Sequence, residues 1–142
     1  VTRIQVADQT FIAAPAESAT ELISDRANWR RWWPDLQLTV VEDRAEQGVR
    51  WKVSGPLNGT TELWLEPALD GFVLHYFLHA DPTSRLPTEP RALMTEVGKI
   101  NHRRRVAGRA MSFEVKDRLE ASRHVGGPAA GERGVAASGG GR

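Results

Sequence analysis

The chain has 142 residues, 19 of them basic and 18 acidic, for a net charge of +1. That length fits one domain with enough interior for a real core, and the charge balance leaves no global field to recruit nucleic acid. Cysteine is absent, which excludes disulfides, thiolate catalysis and thiolate zinc sites; no apolar run approaches membrane-spanning length, and Val1-Thr2-Arg3-Ile4-Gln5 carries no secretion pattern, so a cytoplasmic protein without stable membrane insertion is the default expectation.

Residues 3–12, rich in Ile, Val, Thr and Phe, predict a first strand. Pro15 then suits the first position of a helix, Glu17 favours its positive end, and Ala19, Leu22 and Ile23 form an inward face ending near Ser24. A second short helix follows at once. Trp29, Trp32 and Trp33 recur at i, i+3, i+4, which places three indoles on one helical face, with Asp25 as cap and Pro34 as stop. So wide an apolar face either plugs a core or overlooks a cavity.

From Leu36 the period changes to two. Leu36, Leu38 and Val40 alternate with polar residues, and Val49, Trp51 and Val53 alternate with Arg50 and Lys52, predicting two half-buried strands joined by a polar turn ending in Gly48. Gly55 to Gly59 predicts another break. Leu63 and Leu65 then alternate with Glu62 and Glu66, a pattern that turns Trp64 outward, and Asp70-Gly71 marks a hairpin into a last strand over 72–80. Short turns between sequential strands imply an antiparallel meander.

Pro82, Pro87 and Pro90 make a stiff connector, after which a long helix is expected from about Thr88 to about Arg123. Its apolar stripe is Leu93, Val97 and Ile100, then Met111, Val115 and Leu119; between them the stripe passes over Arg104 and Gly108. Gly98 and Gly108 are candidates for close approach to the sheet, at roughly 1 kcal/mol of helix propensity each. Residues 125–142, dominated by Gly and Ala, read as a disordered tail that leaves 1–124 as the domain.

A strand, two short helices, a curved antiparallel meander and one long C-terminal helix form the α+β helix-grip order. Thr10-Phe11-Ile12-Ala13-Ala14-Pro15, Ile23-Ser24-Asp25, Trp32-Trp33-Pro34 and Leu65-Glu66-Pro67 followed by Asp70-Gly71 resemble the START-like (SRPBCC) superfamily, in particular its small bacterial polyketide cyclase/dehydrase and lipid-transport-like members. The resemblance runs from residue 4 to about 123. It implies a sheet wrapped around the last helix with a ligand cavity between them. Six or seven strands are usual there, whereas this chain has room for about five, so one hairpin is missing and the cavity should be smaller or more open.

Catalytic motifs are missing as well. His75 and His79, four apart on a strand, lie on one face but roughly 13 Å apart, too far to share a metal. No nucleophile elbow, phosphate loop or carboxylate pair is visible, so no catalytic residue, metal or cofactor is assigned. His102, Arg103, Arg104, Arg105 and Arg109 form the densest positive charge, either a solvated face or a receiver of phosphate, carboxylate or an anionic surface; with 16 Arg against three Lys, arginine is simply this chain's basic residue. Arg104, on the apolar stripe, must snorkel, pair with an acid or anchor a ligand.

The expected function is binding or carriage of a small hydrophobic or amphipathic molecule by a monomer or homodimer. Trp29, Trp32, Trp33, Trp51, Leu63, Tyr76, Leu78, Val97, Ile100 and Arg104 are the expected lining, aromatic bulk supplying transfer energy and Tyr76 and Arg104 orienting a polar head. The alternatives are a cyclase/dehydratase-like enzyme using the same cavity, and a protein- or membrane-interaction module contacting its partner through Trp64 and the arginine cluster.

Overall fold

The computed structural model describes residues 2–121. Strand β1 (Ile4–Ile12) leads through a 3-10 turn (Ala16–Ala19) into α1 (Thr20–Ser24) and α2 (Arg26–Trp32). Strands β2 (Gln37–Asp43), β3 (Gly48–Ser54), β4 (Leu57–Ala68) and β5 (Gly71–Pro82) follow, and α3 (Pro90–Leu119) closes the domain. The five strands form one antiparallel sheet in the order β1-β5-β4-β3-β2. A curved antiparallel sheet gripping a long C-terminal helix is the helix-grip fold, as the order of elements in the sequence implies. The tail expected over 125–142 lies outside the described residues.

Alternation sorts each strand into an inner and an outer face. Ile4, Val6 and Ile12 of β1, Val49, Trp51 and Val53 of β3, Leu63 and Leu65 of β4, and Leu74, Tyr76 and Leu78 of β5 are all buried on the inner face. Two glycines permit this packing: a Cβ at Gly48, whose φ is +125°, would come 2.0 Å from the Leu63 carbonyl oxygen, and one at Gly59 would come 2.1 Å from that of His79. Gly59 therefore belongs inside β4, and the chain break expected over 55–59 shrinks to Gly55 and Pro56. β2, the far edge, is less buried than its alternation suggests: it bulges between Val40 and Glu42 and leaves Val40 and Val41 exposed.

α3 lies along β1, at the opposite edge. Glu89 caps it, accepting from the Arg91 and Ala92 amides, and Pro90 occupies its first turn. Its buried residues are Ile100, Gly108, Met111, Ser112 and Val115, so the stripe read from the sequence does face inward, Gly108 included. A Cβ at Gly108 would lie 2.5 Å from Tyr76 Cε2, whereas one at Gly98 would meet nothing within 4 Å among the described residues. Of these two helical glycines, Gly108 is the one that serves close approach. Side chains of α3 also satisfy the outer edge of β1: Asn101 accepts from the Gln5 amide, and Lys116 donates to the Phe11 carbonyl.

Candidate functional site

The tryptophan segment places its three indoles differently from a single helical stripe. Asp25 caps α2 by accepting from the Ala27 amide. The helix ends at Trp32; Trp33, held before Pro34, leaves it with φ −136° and ψ 71°. This exit turns the Trp33 ring into the core, where it is 1% exposed and stacks on Tyr76 at 5.9 Å between centroids. Trp33 also meets Trp51 and Trp32 edge-on, at 5.9 and 5.6 Å. Trp29 meets Trp51 edge-on at 5.1 Å and donates its indole N–H to the Ile23 carbonyl. Edge-to-face and offset contacts of this kind are the favourable aromatic geometries.

Leu63 and Leu78 pack in the same core as these rings, with Ile100 of α3; Val97 is partly buried at its margin. The space expected to hold a ligand is thus occupied by side chains in mutual contact. Two hollows border Trp29 from outside this core: one of about 350 Å³ between α1–α2 and β2–β3, and one of about 240 Å³ between α2 and the start of β2.

Arg104 answers the question its position raised. Its guanidinium grips the Asp35 carboxylate through two nitrogens, at 3.0 and 2.7 Å, and its side chain is 12% exposed. The hydrogen bonds from Arg104 hold the Asp35 carboxyl below the usual carboxylate range, with Arg103 adding a smaller effect and burial opposing both. Asp35 is the residue that sequence reading missed. It stands next to Pro34 with no pattern to single it out, and its partner is 69 positions away.

Several buried polar atoms lack a hydrogen bond among the described residues, the hydroxyls of Thr10 and Thr20 included. Nε1 of Trp32, Trp33 and Trp51 and Nε of Arg104 are buried with no hydrogen-bond partner among the described residues. The Trp32 indole lies toward Glu114 and that of Trp33 toward the Tyr76 hydroxyl, near enough to favour the anionic forms but short of hydrogen-bonding geometry. Burial pushes the Tyr76 hydroxyl up to about 12, with Thr61, Arg104 and Trp33 pulling the other way. Tyr76 therefore keeps its proton at neutral pH.

On the outer face Trp64, 37% exposed, stacks on His75 at 4.4 Å, and His75 lies parallel to Phe77 and within 2.9 Å of Glu66. The arginine cluster divides: Arg104 points inward, Arg109 reaches Asp8 and covers the Phe113 ring, and Arg103 and Arg105 are exposed. No helix among the described residues is long and apolar enough to cross a membrane.

No protein-family model matches the chain, and no curated protein does. Solved structures do. The chain is similar to the Aha1 dimer of Colwellia psychrerythraea, determined in solution, at 14% identity and a TM-score of 0.55 over 85% of this chain and 99% of that one. It is also similar to the crystal structure of TTHA0849 from Thermus thermophilus, at 16% identity and a TM-score of 0.50 over 78% of this chain and 96% of that one. At such identities the likeness is one of fold.

Proposed function

We propose that this domain binds a small amphipathic molecule between the sheet and α3, against the tryptophan cluster. The proposed lining is Trp29, Trp32, Trp33, Trp51, Leu63, Tyr76, Leu78, Val97, Ile100 and Arg104, as the sequence suggested, with Asp35 added as the group that closes the site. One observation carries the reading: among the described residues, the indole N–H groups of Trp32, Trp33 and Trp51 and Arg104 Nε are buried without a hydrogen bond, Trp32 and Trp33 having only ill-placed acceptors in Glu114 and Tyr76. A buried donor left unpaired costs roughly 1–3 kcal/mol, so a guest bringing carboxylate or carbonyl oxygens recovers that cost.

Entry requires the aromatic plug to part. Trp33 would swing off Tyr76, and the guest's head would take the place of Asp35 on Arg104. Tyr76, holding its proton, is a hydrogen-bond donor to that head and a poor base, which favours binding over the proton abstraction an enzyme of the cyclase or dehydratase kind would need.

The test is a titration of tryptophan fluorescence with fatty acids and their methyl esters. Arg104→Met should weaken the acids and spare the esters. Asp35→Asn, by releasing the guanidinium, should tighten the acids severalfold. If no amphiphile gives a saturable response, the carrier reading fails for these compounds; if both variants bind acids as the parent does, Arg104 is no anchor.

A further inference from the structure

The two hollows bordering Trp29 have a different character from the interior. They share Arg26 and Trp29 and follow the inward side of β2, past Leu38 and then Val40. The floor is apolar, made by Leu36, Leu38 and the Trp29 ring at one end and by Ile23, Val40 and Val49 at the other. Asp43, the acid at the far end, is already engaged, accepting from the Ala45 amide.

Charge is distributed unequally along this groove. Arg26 and Arg30 stand four apart on α2, on one face, and both line the smaller hollow. Neither has a carboxylate within 4 Å among the described residues, in contrast to Arg31 on the same helix, which holds Glu114 at 2.6 Å, and Arg104, which holds Asp35. Arg26 is positioned by lying over the Trp29 ring, 5.9 Å from its centroid. A trough floored by apolar side chains, with Arg30 at one end, Arg26 where the hollows join, both free of carboxylate partners among the described residues, and a carboxylate at the other end is complementary to one class of molecule and fixes its direction.

We propose that the α2–β2 groove is a second binding site, for a free amphiphile with a carboxylate head and an apolar chain. The head sits between Arg26 and Arg30; the chain runs over Leu36 and Leu38, past Trp29, toward Val40 and Ile23, away from the repelling Asp43. Binding here needs no movement of the Trp33–Tyr76 stack, so it is independent of the interior site proposed above.

The five indole N–H groups of 15N-labelled protein separate the two sites in one NMR titration with decanoate and with decanol. The groove predicts that decanoate shifts the Trp29 indole signal and the amides of Leu36 and Leu38, leaving the Trp33 and Trp51 indoles in place. Replacing both arginines, Arg26→Gln with Arg30→Gln, should weaken decanoate about tenfold and decanol little, since charge-assisted hydrogen bonds are lost and apolar contact is kept. Both side chains are exposed, so the variant should fold; the five indole signals check this directly. Decanoate that shifts Trp33 and Trp51 but not Trp29, Leu36 and Leu38 overturns the groove and leaves the interior site standing. Equal affinity for decanoate in parent and variant overturns it too, as does equal affinity for decanoate and decanol in the parent.

Discussion

The two sides of the sheet's inner face are covered by different means. Over β1 and β5 the cover is α3, brought close by Gly108 and tied to the β1 edge by Asn101 and Lys116. Toward β3 and β2 the cover is three indoles from α2 and its exit, and bulk replaces closeness. One side is a helix seated on a strand and hydrogen-bonded to its edge, with Thr10 Oγ1 and Arg104 Nε buried without a partner among the described residues. The other is an aromatic plug in which donors are left over. The lesson concerns sheet width: one helix cannot cover five strands, so the remainder needs either large side chains or a guest.

The plug should respond most to change. Trp51 is fully buried between Trp29 and Trp33, so Trp51→Ala should cost about 3–5 kcal/mol in urea unfolding. A cost below about 1 kcal/mol would mean that the tryptophan side is loose and the contrast is wrong. Close approach comes next. Gly108→Ala sets a methyl group against a buried Tyr76 ring that Trp33 pins from its side, and should destabilise by about 1–3 kcal/mol despite alanine's better helix propensity. Gly98→Ala, in open space on the same helix, should stabilise by up to about 1 kcal/mol. Opposite signs for these two glycines would show that propensity governs one half of α3 and contact the other.

The tie to β1 is worth less. Asn101 accepts from the Gln5 amide at 3.0 Å, and Asn101→Ala should cost about 1 kcal/mol while speeding hydrogen exchange at Gln5. Unchanged exchange there would show that α3 does not guard the edge. The smallest effect belongs to the Arg104–Asp35 pair that bridges the two covers. The Asp35 pKa is lowered in the folded protein, so its contribution is present above the ordinary carboxylate pKa near ~4 and lost as pH falls through the lowered value. Asp35 is half exposed, which limits the effect to less than about 1 kcal/mol. Asp35→Asn should accordingly flatten the decline of stability below about pH 4, and an unchanged acid limb would show the pair to be energetically idle.

Sequence alone determined the order of elements, because each rests on a local rule: period two from Leu36 to Val53, Asp-Gly at a hairpin, and Asp25 and Pro34 around the tryptophan helix. It also determined that Arg104 and Gly108 sit on the inward stripe of α3, since helical phase is a property of spacing. The consequences of that phase were decided elsewhere. Gly108 matters because Tyr76 is beneath it, and Arg104 is neutralised because the turn after α2 delivers Asp35 to it. Trp33 stacks on Tyr76 as well as meeting Trp32 edge-on because Pro34 ends the helix one residue early. The leftover indole donors, and Arg26 and Arg30 beside Leu36 and Leu38 with no carboxylate partner among the described residues, are facts of juxtaposition. Periodicity records which way a residue faces; only the folded chain decides what it meets there, because contacts join positions that no local rule relates.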